Sequence, residues 1–379
     1  MSRRALPMNR MASFCISLLT TLGVPGALLN AAPGADARRG AEFFRSQFCV
    51  NCHAFEGQGG NQAPDLGQRF DRNYTPAGIA SRMWDHAPVM WQAMADQKIP
   101  IPSISADRAA DLFAYFYAVR YFEKPGEAER GKRIFQSKHC NDCHSLTSSG
   151  GSGPGTPVER WESLADPTVL VQRMWNHSDL MKGEMASRNI QWPRLTAQDL
   201  DDLLVYLQNL PQTRNEKMGF TLPSAEGGEA IFSEKGCANC HKGALALEYR
   251  LGDNSLTSVA AAMWNHNPQM QKPHPEITLP EMRQLLGYVW AKQFFYTRGD
   301  AARGHKVFES KKCATCHNAA SPGAPVLGKL SDPYSAISMV DVLWKHGPSM
   351  LQKMRDQHIP WPRLSQTEMA NLIAYLNSR

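Results

Sequence analysis

The sequence predicts an all-α protein built as four tandem helical units. Three observations predict it. The pentapeptide C-x-x-C-H occurs four times, at Cys49–His53, Cys140–His144, Cys237–His241 and Cys313–His317. Nine and five residues ahead of each first Cys stand a Gly and a Phe: Gly40/Phe44, Gly131/Phe135, Gly228/Phe232 and Gly304/Phe308. Each copy closes on a stretch of helical period with Leu and Tyr three apart: Leu112/Tyr115, Leu203/Tyr206, Leu285/Tyr288 and Leu372/Tyr375.

The opening and closing segments are expected to be helices that touch. Leu and Tyr at i and i+3 share one helix face, and a glycine lets another backbone approach closely. The first and last helices of each copy should therefore cross at the glycine, with Phe and Tyr packed at the contact.

Between them, C-x-x-C-H is the attachment signature of c-type haem. Its thiols add across the haem vinyl groups, and its His becomes the proximal iron ligand. A structural zinc site would instead gather two separated pairs around one ion. Here each pair has its own adjacent His, and eight of the nine cysteines are used in this way. Four covalently bound haem c groups are expected, on Cys49 and Cys52, Cys140 and Cys143, Cys237 and Cys240, and Cys313 and Cys316. The proximal ligands are His53, His144, His241 and His317.

On these motifs and helices the chain resembles the class I cytochrome c family over essentially everything after residue 38. The resemblance implies four cytochrome c-like domains, each wrapped around one haem. It also implies a loop proline whose carbonyl orients the proximal His. Copy one offers Pro64 and copy four Pro325. Copy two has a glycine-rich loop, Gly150-Gly151-Ser152-Gly153-Pro154, and leaves Pro154 or Pro157 open. Copy three has no Pro between His241 and Pro268. Lysines near an exposed haem edge guide docking in the family, and Lys138, Lys235, Lys311 and Lys312 precede the motifs; a solvated face reads them equally well.

A second string, W-x-H-x-x-x-M, recurs as Trp84/His86/Met90, Trp175/His177/Met181, Trp264/His266/Met270 and Trp344/His346/Met350. Pro88, Pro268 and Pro348 fall between His and Met, so this box reads as a helix, a tight corner and a second helix. The family takes its distal ligand from a Met in this region, so Met90, Met181, Met270 and Met350 are the expected distal ligands. The box histidines are one alternative. Met94, Met185 and Met354, replaced by His274 in copy three, are another. A third element follows as ribbons stiffened by Pro: Ile99–Pro102, Ile190–Pro193, Ile277–Pro280 and Ile359–Pro362.

The N-terminus reads as an export signal: Arg3, Arg4 and Arg10, then an apolar run, then Ala35-Asp36-Ala37. Cleavage is expected after Ala37, with Ala31 or Ala32 as alternatives. Cys15 lacks the small preceding residue of a lipid-attachment box. The domains are then 1–37 signal peptide, 38–124, 125–214, 215–298 and 299–379. The formal charge of the whole chain is +6, and haem propionates would offset it, so the basic pI is not a nucleic-acid signal. No transmembrane span is expected after signal removal. The expected function is that of a periplasmic electron carrier between redox partner proteins, not an enzyme, possibly associated with a membrane complex. The alternative is a haem-containing catalytic or electron-entry subunit in which copy three, the most divergent, is atypical.

Overall fold

The structure, a computed structural model, describes residues 35–55, 57–67, 75–118, 126–150, 153–161, 164, 166–211, 225–251, 255–270, 273–318, 324–327 and 333–379. Residues 1–34 with Cys15, and the junctions between the expected domains at 119–125 and 212–224, lie outside these residues.

Copy one runs through α1 (Ala37–Ser46), α2 (Pro76–Asp96) and α3 (Ala106–Ala118). Copy two follows with α4 (Ala128–Ser137), α5 (Pro167–Ser187) and α6 (Ala197–Gln208). Copy three has α7 (Gly228–Glu234), α8 (Leu247–Arg250), α9 (Leu256–His266) and α10 (Leu279–Ala291). Copy four has α11 (Ala301–Ser310), α12 (Ala336–Asp356) and α13 (Gln366–Asn377). Among the described residues the only strands form one small hairpin, Ala54–Phe55 with Gln58–Gly59.

Caps fix where these helices start. Thr75, Asp166, Ser255 and Ser335 cap the box helices through their side-chain oxygens. Capping boxes open α6 (Thr196/Asp199), α10 (Thr278/Glu281) and α13 (Ser365/Glu368).

The expected crossing is present in all four copies. A Cβ at Gly40 would lie 2.0 Å from the Asp111 carbonyl oxygen, and one at Gly304 would lie 1.9 Å from that of Asn371. Gly131 meets Asp202 and Gly228 meets Gln284 in the same way. The Phe–Tyr ring pairs sit at 5.7, 5.9, 5.5 and 5.4 Å in copies one to four. In copies one and two a half-exposed arginine on a buried carboxylate, Arg39–Asp111 and Arg130–Asp202, ties the same crossing.

The residues just ahead of α1 pack with the first unit. Asp36 caps α1, and its own N–H donates to Asp111 Oδ1 at 2.8 Å. Ala35, Asp36 and Ala37 are all buried. Ala35 and Ala37 belong to the core of the first unit.

The box is not a helix, corner and helix. In copies one and four, Pro88 and Pro348 lie inside single helices of 21 residues, and in copy two α5 is equally continuous. Only copy three breaks, after His266, with a 3₁₀ turn over Asn267–Gln269. A proline inside a helix removes one donor to the carbonyl four residues back. Here another copy replaces that donor. Pro88 leaves the Trp84 carbonyl to accept from the Trp361 indole at 3.0 Å. In copy three the Trp264 carbonyl accepts from the Asn267 N–H at the helix end and also from the Trp192 indole at 3.1 Å.

Copies therefore pack in pairs, one with four and two with three, through the box of one and the ribbon of the other. Trp84 donates to Pro362 O at 2.8 Å and stacks on Trp361, with ring centres 5.0 Å apart. Trp264 donates to Pro193 O at 2.7 Å and stacks on Trp192 at 4.0 Å. The residue between Trp and His clamps the ribbon backbone: Asp85 accepts from Leu364 N–H, and Asn265 both accepts from and donates to Leu195. One continuous core runs through copies one, three and four, and copy two has a core of its own that takes in Trp264.

Candidate functional site: the C-x-x-C-H cradles

Each C-x-x-C-H folds as a 3₁₀ turn entered through a left-handed residue: Phe48, His139, Gly236 and Lys312, with φ of 61°, 63°, 78° and 62°. The His N–H then donates back to the carbonyl of the first Cys at 2.9–3.0 Å in all four copies. The turn presents both sulfurs and the imidazole together. Burial pushes the thiols of Cys49, Cys140 and Cys313 up to about 11, and it raises Cys237 as well. In a haem-linked protein these sulfurs would be thioethers, which an apolar setting suits. No disulfide joins any of the eight cysteines. Among the described residues, no group of three or more His, Cys, Asp or Glu side chains could hold a metal ion.

The proximal histidines are oriented from behind. His53 Nδ1 donates to Pro64 O and His317 Nδ1 to Pro325 O, both at 3.0 Å. In copy two the carbonyl belongs to Thr156, at 3.1 Å, not to Pro154 or Pro157. Gly155 makes room there, since a Cβ would lie 2.6 Å from the His144 ring. In copy three no carbonyl pairs with His241 Nδ1 among the described residues; its ring packs on Phe232 instead. Burial holds the His53 imidazole below its usual basicity despite the Pro64 carbonyl, and His86 adds to that depression. A neutral ring with Nδ1–H engaged leaves Nε2 as the donor atom toward the cavity.

In copy two that cavity is ≈440 Å³. Cys140, His144, His177 and Met181 line it, with apolar walls from Phe135, Leu164, Leu170, Leu203 and Leu207 and with Arg160, Arg173 and Lys138 at the polar side. Trp264 closes it from copy three. An apolar slot with two sulfurs, an aimed imidazole and cations for carboxylates fits a covalently held haem.

The expected distal methionines, Met90, Met181, Met270 and Met350, are all half-buried, and the four box histidines are exposed. Rings nevertheless face each other across the site: His144 and His177 have centres 6.3 Å apart, as do His241 and His266. Two of the lysines considered for docking are engaged within the fold. Lys235 binds Glu281 and Lys311 binds Glu368, each at 3.0 Å. His274 lies not at an iron site but at the seam between copies two and three, against Asp179 and the Trp175 ring.

Sequence reasoning missed the indole and clamp contacts. Their signal was present in the residue between Trp and His, a carboxylate or amide in Asp85, Asn176 and Asn265 and a lysine in Lys345.

The Cytochrome c family model matches residues 37–115, 128–211 and 301–379. Residues 225–297 lie outside these matches, although they carry the same motif and helix crossing. No curated protein and no solved structure matches the chain. No helix among the described residues is long and apolar enough to cross a membrane. With its all-α repeats and haem-attachment cradles, the chain belongs to the cytochrome c family and is a multihaem electron-transfer protein.

Proposed function

We propose that this protein is an exported, periplasmic tetrahaem carrier that passes single electrons between redox partner proteins. It holds four covalent haem c groups, the fourth on Cys237, Cys240 and His241. The observation that carries the reading is the pairing of sites through tryptophan. Trp264 stands two residues before a box histidine of copy three and also walls the cavity of copy two. Two sites with a shared aromatic wall suit electron exchange better than independent chemistry at each. Bound haem supplies a one-electron iron couple. The chain supplies the rest: carbonyls that hold the proximal rings, apolar walls that exclude water, and differing loops that set unequal environments.

Export is supported by the basic and apolar N-terminal run. The buried Ala35–Ala37 segment favours cleavage at Ala31 or Ala32. The mass of the exported chain tests this, and a mature N-terminus at Arg38 would overturn it. For the carrier reading, a pyridine haemochrome assay should count four haems per chain, and low-temperature EPR should show low-spin iron throughout.

A second reading rests on one observation. His241 has no backbone carbonyl behind it among the described residues, so copy three is the candidate for a catalytic or electron-entry haem. A high-spin signal that responds to small ligands would favour that reading over the carrier.

A further inference from the structure

Building on the tetrahaem reading, the geometry points to His86, His177, His266 and His346, rather than the methionines four residues on, as the distal iron ligands. A metal–imidazole bond is about 2.0 Å, which puts the centres of two rings on opposite sides of one ion about 6 Å apart. The His144–His177 and His241–His266 centres both lie at 6.3 Å, with ring planes inclined at 51° and 55°. Two copies with unrelated loops reach the same separation.

Orientation agrees with distance. His86 Nδ1 donates to the Arg82 carbonyl one turn back, at 2.9 Å. That fixes the proton on Nδ1 and leaves the Nε2 lone pair for a metal, the usual arrangement behind a ligating imidazole. The proximal rings are held in the same manner, through Pro64, Thr156 and Pro325.

The methionines are not equivalent among the copies, whereas the histidines are. Met90, Met181 and Met350 lie within their helices, one turn past the His. Met270 has left its helix: it follows the 3₁₀ turn with extended backbone, φ −77° and ψ 159°. His266 is still the last residue of α9. A position needed by all four sites should hold its place in all four, and only the histidine does. Met ligation raises haem potential, so four imidazole pairs imply a carrier working at lower potential than Met-ligated relatives.

Near-infrared magnetic circular dichroism of the oxidised holoprotein decides the matter. The expected spectrum has bis-imidazole charge-transfer intensity and no sulfur-to-iron band. His177→Ala should convert one quarter of the iron to high spin, with low spin restored by added imidazole, while Met181→Ala, which trims a wall of the cavity, should leave all of the iron low-spin. A sulfur-to-iron band in the wild type, or an unchanged low-spin spectrum in His177→Ala, overturns the assignment. If His177→Ala fails to load haem, the wild-type spectrum still decides. A haem count below four would instead strike at the tetrahaem reading, so the two failures are distinguishable.

Discussion

The two copy pairs use one interlock on different seams. In the pair of copies one and four the seam is aromatic. Trp91 lies between α2 and α12, edge-on to Trp344 and Trp361, and a Cβ on Gly347 would lie 2.3 Å from its ring. In the pair of copies two and three the corresponding space is polar. Asn267 donates to Ser178, Ser178 donates to the Trp175 carbonyl, and His274 contacts Ser178 and Asp179.

The pairs also differ in how many boxes engage. In copies two and three both boxes clamp: Asn265 holds Leu195, and Asn176 both accepts from and donates to Ile277. In copies one and four only Asp85 does. Lys345 occupies the clamp position of copy four and pairs with Asp341 at 2.9 Å, and the buried Trp344 indole N–H has no acceptor among the described residues. Pro348 withdraws the helical donor from the Trp344 carbonyl, yet the ribbon of copy one offers Ile101 where Trp361 and Trp192 stand elsewhere. A half-interlock survives in copies one and four because apolar packing takes over where hydrogen bonds are missing.

Substitutions can break that contrast. Trp91→Ala should cost about 3–5 kcal/mol and lower the thermal midpoint, because it empties the aromatic seam. Asn265→Ala should cost about 2–3 kcal/mol, leaving both polar groups of Leu195 unpaired, while Lys345→Ala should stay within about 0.5 kcal/mol. Equal losses would mean that the clamps are not what separates the pairs. Trp264→Phe should lose about 1 kcal/mol with its bond to Pro193, and Trp344→Phe should be near neutral, having no bond to lose. Denaturant midpoints compare all five variants.

Two smaller effects sharpen the picture. Ile101→Trp should supply the missing indole donor and gain about 1 kcal/mol. Acid should act on both pairs alike. The Thr278 backbone N–H and Lys235 hold Glu281 below the usual carboxylate range. Glu368 is lowered too: burial opposes, but Ser365 and Lys311 prevail. Depressed carboxylates stabilise above their unfolded pKa, and that contribution is lost as pH falls through the folded value. Glu281→Gln should therefore flatten the acid limb of a stability–pH profile, and an unchanged limb would show that this cap does not contribute.

What the sequence disclosed followed range. The glycine crossings were legible because Gly, Phe, Leu and Tyr recur at fixed offsets, and the haem cradles because the pentapeptide is local. The box was misread as two helices because proline was weighed only for the bond it removes. The donor that replaces that bond, Trp361 for Trp84, is 277 residues away. No periodicity reports such a contact. The Thr156 carbonyl escaped for a related reason: orientation, not residue type, decides which loop carbonyl faces His144.

The pairing is nested, with copies two and three enclosed between one and four. The Trp264–Pro193 bond spans 71 residues and the Trp84–Pro362 bond 278. A chain emerging N-terminus first can close the inner pair while its last domain is still being made. The outer pair must wait for the C-terminal ribbon, and closing so long a loop is entropically slow. Folding thus has a built-in order, in which copy one emerges before copies two and three yet is the last to find its mate, and keeps its docking face uncovered until copy four has formed.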